Sequence, residues 1–369
     1  MSLAVVGSVA FDSVSSPFGQ VERQLGGSAT YAALAASHFT DVRLVAPVGD
    51  DFAPEHYEVL EGRGIDTGAI QLFADAKTFF WRGRYEFDMS VAHSDVTELN
   101  VFAGWRPRLS VEARQSEMLF LAAMDPETQL DVRKQWLGAK FAALDSNAYW
   151  IKHKPEHLVA AIRTVDLVLM NDLEARELTG EPMLLRAARM IMSWGPRAVV
   201  LRLGEYGCAL LTADGYFSLP AFPLENGLDP TGCGDAFAGG FLGYLDVTPR
   251  SKLTETILRS AVTYGSVMAS YCMESFGPDR LVSLSEREIN YRFEDFRQMT
   301  HFEHVSTHPR ARDGAADERD RHPARPGLTP SIRPHDAPHR TPSIQTPPAP
   351  HRTPSTERPS PSLKPPRAE

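Results

Sequence analysis

Apolar residues fall in short, nearly unbroken runs at 3–9, 42–47, 118–122, 141–144, 167–170 and 198–203. Runs of that length without polar alternation predict strands buried on both faces, the pattern of a parallel sheet covered by helices. Between them, apolar positions at helical spacing predict helices at 28–38, 52–63, 126–137, 155–165, 172–178 and 184–194. The repeated strand–helix–strand order gives an α/β fold class, a doubly wound and mostly parallel sheet with helices on both faces. After Asp235 the pattern turns helical, at 236–245, 252–273 and 286–299, and predicts no further strand.

One segment breaks the alternation. Thr78-Phe79-Phe80-Trp81-Arg82-Gly83-Arg84-Tyr85-Glu86-Phe87 mixes aromatic residues with arginines and reads as an accessory strand. Together with 13–23 it predicts a small β lid (segments about 13–23 and 77–90) whose aromatic residues could close over a ligand. An ordinary edge hairpin would show the same spacing.

Composition changes the picture at the C-terminal end. Of 28 prolines in the 369 residues, 15 fall within 307–369, where large apolar side chains are scarce. Such a segment buries too little surface to offset its ordering entropy, so a disordered Pro-rich tail is expected at 307–369 and a globular domain at 1–306. The tail repeats His339-Arg340-Thr341-Pro342-Ser343 at 351–355, a spacing compatible with polyproline II recognition. The formal charge is -9, and no long basic run occurs, which argues against nucleic acid or an anionic membrane as partner. Cys208, Cys233 and Cys272 are too few and too scattered for a disulfide framework or a thiolate metal site. The N-terminal residues lack a basic region before their apolar stretch, and polar residues interrupt every apolar run. A cytoplasmic protein, neither secreted nor membrane-spanning, is the expectation.

Chemistry concentrates in Gly227-Leu228-Asp229-Pro230-Thr231-Gly232-Cys233-Gly234-Asp235-Ala236-Phe237. Glycines at 232 and 234 permit a tight turn whose N–H groups point one way, directly before a helix whose positive dipole end lies at that turn. This is an anion hole, and an acid at Asp235 beside it implies a job, read as general base. A structural helix cap would also use these glycines. No third glycine completes a dinucleotide fingerprint and no Gly-Lys-Ser/Thr ends the loop, so neither a nicotinamide dehydrogenase nor a P-loop is supported. A second pair, Gly26-Gly27, precedes Ser28 and the alanine-rich stretch Ala29 to Ala36; it reads either as a hinge for the lid or as a plain N-cap region.

Through Gly26-Gly27 and the 229–237 segment, the chain resembles the ribokinase family, the PfkB-type carbohydrate kinases, over residues 1 to about 300. Gly7-Ser8-Val9-Ala10-Phe11-Asp12, Asn171-Asp172-Leu173-Glu174 and Leu203-Gly204-Glu205-Tyr206-Gly207 agree in order and spacing. The resemblance implies transfer of the ATP γ-phosphoryl group to a primary hydroxyl of a sugar or nucleoside. By it, Asp235 is the base, and Thr231, Gly232, Cys233 and Gly234 form the N–H cradle, so side-chain changes at Cys233 should matter little. It places Asp12, Gly26, Gly27, Tyr31, Phe79 and Trp81 at the acceptor and Asn171, Arg202, Gly204, Gly207 and Thr231 at the nucleotide. Asn171 and Glu174 would organise Mg²⁺ through water, and Asp229 with Thr231 would border a K⁺ site. It also suggests a homodimer through the lid.

Two positions depart from the family pattern. Tyr31 stands where many sugar-specific members carry Asn, and Arg202 where Thr commonly precedes Leu-Gly. Aromatic residues at 31, 79 and 81 would suit stacking on a nucleobase, although core packing explains them too. The acceptor therefore stays open between free sugar, nucleoside and, through Arg82 and Arg84, sugar phosphate. An idle sugar- or nucleotide-binding sensor with a partner-recruiting tail is the reading from another class.

Overall fold

The computed structural model describes residues 2–301 apart from 112, 137 and 249–253. The tail expected at 307–369, its repeat, and Lys252 lie outside the described residues.

The chain opens with β1 (Ser2–Val6), β2 (Ala10–Ser16), β3 (Gly19–Gly26) and α1 (Ser28–Ala36), then β4 (Asp41–Val45), β5 (Pro47–Gly49) and α2 (Pro54–Glu61). Next come β6 (Gln71–Phe73), β7 (Phe79–Tyr85), β8 (Ala92–Glu98), β9 (Met118–Leu121), α3 (Pro126–Gln135) and β10 (Phe141–Asp145). They are followed by α4 (Ala148–His153), α5 (Pro155–Ile162), β11 (Leu167–Asn171), α6 (Asp172–Thr179), α7 (Leu184–Ser193) and β12 (Ala198–Arg202). The hairpin β13 (Cys208–Thr212) and β14 (Tyr216–Leu219) precedes α8 (Cys233–Val247), α9 (Glu255–Cys272), α10 (Asp279–Ser283) and α11 (Glu286–Thr300).

Eight strands form the main sheet in the order β14-β13-β12-β11-β10-β9-β1-β4. The six strands predicted from the apolar runs are β1, β4, β9, β10, β11 and β12, and every pairing among them is parallel. β13 and β14 add an antiparallel edge that the pattern did not single out. The 3–9 run divides: it leaves the sheet after Val6, and the chain re-enters a strand at Ala10 in a different sheet. That second sheet, β3-β2-β7-β8, contains both expected lid segments and one strand, β8, that was not expected.

Alternation decides where the core sits. Leu3, Val5, Met118, Phe120, Leu167 and Leu169 face one apolar cluster, shared with α1, α8 and α9. Ala4, Val6, Leu119, Leu121, Val168 and Met170 face the other, shared with α3, α5 and α7. Both faces of each strand are therefore apolar, which is why the runs are unbroken. Each Val, Leu, Met or Phe among them contributes roughly 1.5–3 kcal/mol on removal from water.

Phe120 is fully buried in the central strand β9. Phe120→Ala is expected to destabilise the fold by about 3–5 kcal/mol. Tyr216→Ala at the half-exposed edge should cost far less. Urea unfolding checks the pair, and equal losses would contradict the core placement.

Candidate active site

The carboxyl ends of the parallel strands share one edge of the main sheet, the place where α/β folds bind ligands. β10 ends there in Asp145, β11 in Asn171 and β12 in Arg202. The loop 228–232 and the first turn of α8 lie over the same edge.

Gly232 is the N-cap of α8 with φ 76, and no side chain caps the helix. The left-handed conformation favours glycine, and a Cβ there would lie 2.4 Å from the Tyr31 ring. The first N–H groups of α8 are thus left without side-chain partners at the positive end of the helix dipole, as an anion hole requires. Tyr31 is buried beneath the loop and its hydroxyl has no hydrogen-bond partner. Its ring face is used against Gly232, so Tyr31 supports the loop from below instead of offering a face to a base.

Asp235 sits in the first turn of α8 and keeps some exposed surface in an otherwise dense surround. Burial raises its proton affinity well above that of an ordinary carboxylate; Asp145, Asp12 and Glu174 add to this and Arg202 opposes it. A carboxylate so placed is a stronger acceptor for an alcohol proton than one at the surface.

Asp12, on β2 of the second sheet, is buried, and its pKa is pushed up to about 7, mainly by burial, with an opposing bond from the Gly27 N–H and a further rise from Asp229. Its Oδ2 faces that N–H at 3.4 Å. A Cβ at residue 26 would lie 2.0 Å from Oδ2, so the glycine is required for the carboxylate to reach the cleft. Gly27 caps α1 with φ 95 and no side-chain bond, which sets aside the simple Ser28 N-cap.

Asn171 and Glu174 form a reciprocal capping box: Asn171 Oδ1 accepts the Glu174 N–H at 2.7 Å and Glu174 Oε2 accepts the Asn171 N–H at 2.8 Å. The cap and the predicted metal motif are the same residues. Burial pushes Glu174 up to about 7, with Arg202 opposing and Asp145 reinforcing. Among the described residues no group of three or more acidic, His or Cys side chains forms a metal cage. Asp229 Oδ1 accepts the Thr231 N–H at 2.8 Å, while Oδ2 is buried without a partner. That orphaned oxygen fits the edge of a cation site.

Other expected residues are placed differently. Phe79 stacks on Phe102, centroids 5.6 Å apart, inside the second apolar cluster. Trp81 lies beside Asp12 in register, and its indole N–H donates to Ser94 Oγ at 2.9 Å. Gly204 and Gly207 shape the turn between β12 and β13, closed by Leu203 N–H to Gly207 O at 2.7 Å. Arg202 points at Asp145 and Gly234, not along the turn. Arg82 and Arg84 are engaged by Glu22 and Asp95.

Two residues of the site were missed in the sequence. Asp145 ends an otherwise apolar strand, one residue beyond the predicted 141–144 run, and an acid in that position is the available signal. Tyr85 lay inside the quoted aromatic segment; its hydroxyl accepts from Thr231 Oγ1 at 3.2 Å and so joins the small sheet to the loop. Ser16 does the same, donating to Leu228 O at 2.7 Å.

The family profile for pfkB family carbohydrate kinases matches residues 2–281. The chain belongs to this family. As a pfkB-family kinase it is a phosphotransferase, and its ribokinase-like sheet is the expected fold. It is 32% identical over 255 residues to the cytidine kinase of Thermococcus kodakarensis, covering 66% of this chain and 88% of that one. It is 26% identical over 263 residues to a nucleoside kinase of Methanothermobacter thermautotrophicus, covering 68% and 79%. In fold it is similar to the Burkholderia thailandensis nucleoside kinase in complex with inosine, with a TM-score of 0.64, 19% identity, and 79% and 98% of the two chains covered. The Thermotoga maritima ribokinase gives 0.64 as well, with 19% identity and 80% and 99% covered.

The raised pKa of Asp12 fixes a sign for stability. Its folded value, about 7, exceeds the ordinary carboxylate value of 3.8, so the folded state holds a proton that the unfolded chain releases between those two pH values. This kinase should therefore lose stability at Asp12 as pH rises from about 4 to 7. Asp12→Asn is expected to be more stable than the parent at pH 8, by on the order of 2 kcal/mol, and to lose that advantage near pH 4. Melting curves across that range check it; a gain that grows toward acid would be the wrong sign.

Proposed function

We propose that this kinase transfers the γ-phosphoryl group of ATP to the primary hydroxyl of a nucleoside. The observation that carries the reading is Asp235, partly exposed in the first turn of α8 beside an uncapped helix start, with the Asp12 carboxylate directed into the same cleft. On this reading Asp12 accepts hydrogen bonds from two neighbouring sugar hydroxyls, which one carboxylate can do. Asp235 takes the proton of the attacking hydroxyl as its oxygen bonds to the γ-phosphorus. The bond to the bridging oxygen breaks, and ADP leaves. The N–H groups of Gly232 and Gly234 stabilise the charge on the phosphoryl group in transfer, because the Thr231 N–H is held by Asp229 at 2.8 Å and the Cys233 N–H by Pro230 O at 3.2 Å.

Glu174 and Asn171 would hold Mg²⁺ through water, and the ion when bound would neutralise phosphate charge. Asp229 and Thr231 would border K⁺, consistent with the unpartnered Asp229 oxygen. The names of the two curated relatives favour a nucleoside over a free sugar. The ion pairs made by Arg82 and Arg84 disfavour a sugar phosphate, because both guanidinium groups already have partners.

The full-length protein with Mg-ATP and K⁺ is expected to release ADP with cytidine or inosine about tenfold or more faster than with free pentoses, hexoses or their phosphates. Asp235→Asn should lower that rate by about 10²–10⁴-fold while ATP still binds. Preference for a free sugar or sugar phosphate over every nucleoside would remove the acceptor assignment, and an active Asp235→Asn protein would remove the base.

A further inference from the structure

Arg202 is one of the two residues at which this chain departs from the family pattern, and the structure gives it three bonds on two elements. Nη1 and Nη2 reach the two carboxylate oxygens of Asp145 at 2.5 and 2.9 Å. Nη1 also donates to the carbonyl of Gly234 at 2.9 Å, one residue before Asp235. The side chains of Arg202 and Asp145 are 17% and 2% exposed, so the fork is shielded from water. Asp145 is itself held, through the Ser146 N–H on Oδ1 at 2.8 Å. The guanidinium thus leaves the end of β12, passes the end of β11, takes its counter-ion from β10 and grips the first turn of α8.

A cation is ordinarily disfavoured at a helix N-terminus, where the macrodipole is positive. Here the contact persists because Asp145 neutralises the guanidinium, and because a planar fork can serve a carboxylate and a carbonyl together, which an ammonium cannot do with the same geometry. The pair therefore fixes the direction of the helix turn that carries the loop N–H groups and Asp235.

We propose that Arg202, clamped by Asp145, is a positioning residue for phosphotransfer, aiming Asp235 and the 232–234 cradle through the carbonyl of Gly234. The inference rests on the reading of Asp235 as base. The charged groups facing Asp235 are Asp12 from β2, Asp145 from β10, Glu174 from α6 and Arg202 from β12. Arg202 lowers the proton affinity of Asp235 and Asp145 raises it, so removing one or the other moves Asp235 in opposite directions.

The test uses the full chain with its best nucleoside acceptor and four variants. Arg202→Lys keeps the charge and loses the fork; its kcat is expected to fall about tenfold or more, with KM for ATP and acceptor little changed and the acid limb of kcat/KM in place. Arg202→Met should move that limb to higher pH and Asp145→Asn to lower pH. Because either single change can leave a buried charge alone and impair folding, Arg202→Met/Asp145→Asn removes both; it should fold and still show the loss in kcat. A wild-type kcat in the lysine and double variants, limb shifts of the same sign, or a rise in the KM for ATP alone would each overturn the positioning role. If those results came with an inactive Asp235→Asn protein, the base reading would stand. A fully active Asp235→Asn protein would instead defeat that reading.

Discussion

The structure turns on a crowding of negative charge. Asp12, Asp145, Glu174 and Asp235 come from four different elements, and burial raises the proton affinity of each. Carboxylates removed from water normally neutralise unless something of opposite sign stands near. Two such sources are built in: the dipole of α8 at Asp235 and the guanidinium of Arg202, whose own charge is reinforced by Asp145. They do not cancel the excess. A cleft left with that balance accepts phosphate groups more readily as a metal complex than as bare polyanions, so the electrostatics match a nucleotide that arrives with its divalent ion.

Sheet topology is what allows residues as distant in sequence as 12 and 235 to meet. Strands that all run the same way deliver their carboxyl ends to one edge, and the connections return on the opposite side. Each strand end therefore adds one polar residue to the site while its body stays apolar on both faces, as β10, β11 and β12 show. The antiparallel strands β13 and β14 close this row, and the tight turn between β12 and β13 falls at the same edge. Tyr31 links that architecture to the anion loop, because α1 carries its ring under Gly232, where no side chain would fit.

This division explains what the sequence disclosed. Strand bodies were readable because double-sided burial leaves unbroken apolar runs, and the loop at 229–235 was readable because the required backbone shape selects glycine. Edges were harder. β14 is half-polar and β8 mostly polar, so they lack either signal. Asp145 was hidden because its partner, Arg202, lies 57 residues further along the chain, and only the fold makes them a pair. Asn171 and Glu174 show the opposite limit: a helix cap and a metal motif demand the same two residue types at the same spacing, so no pattern separates them. Tyr31 was recognised as unusual, yet whether its ring meets a ligand or a glycine depends on a contact 201 residues away in sequence, at Gly232.

The two sheets divide the proposed chemistry between them. Asp12 belongs to the small sheet, whereas Asp235, Glu174 and Arg202 belong to the elements around the large one. An acceptor held through its sugar hydroxyls by Asp12 is therefore gripped by one body and deprotonated from the other. The hydrogen bonds from Ser16 to Leu228 and between Tyr85 and Thr231 span that seam. Bonds of this kind contribute about 0.5–1.5 kcal/mol each, enough to favour a closed arrangement and too little to prevent its opening. They also end on the anion loop itself. On the proposed function, the small sheet that carries Asp12 is therefore tied through Ser16 and Tyr85 to the same loop that forms the phosphate cradle.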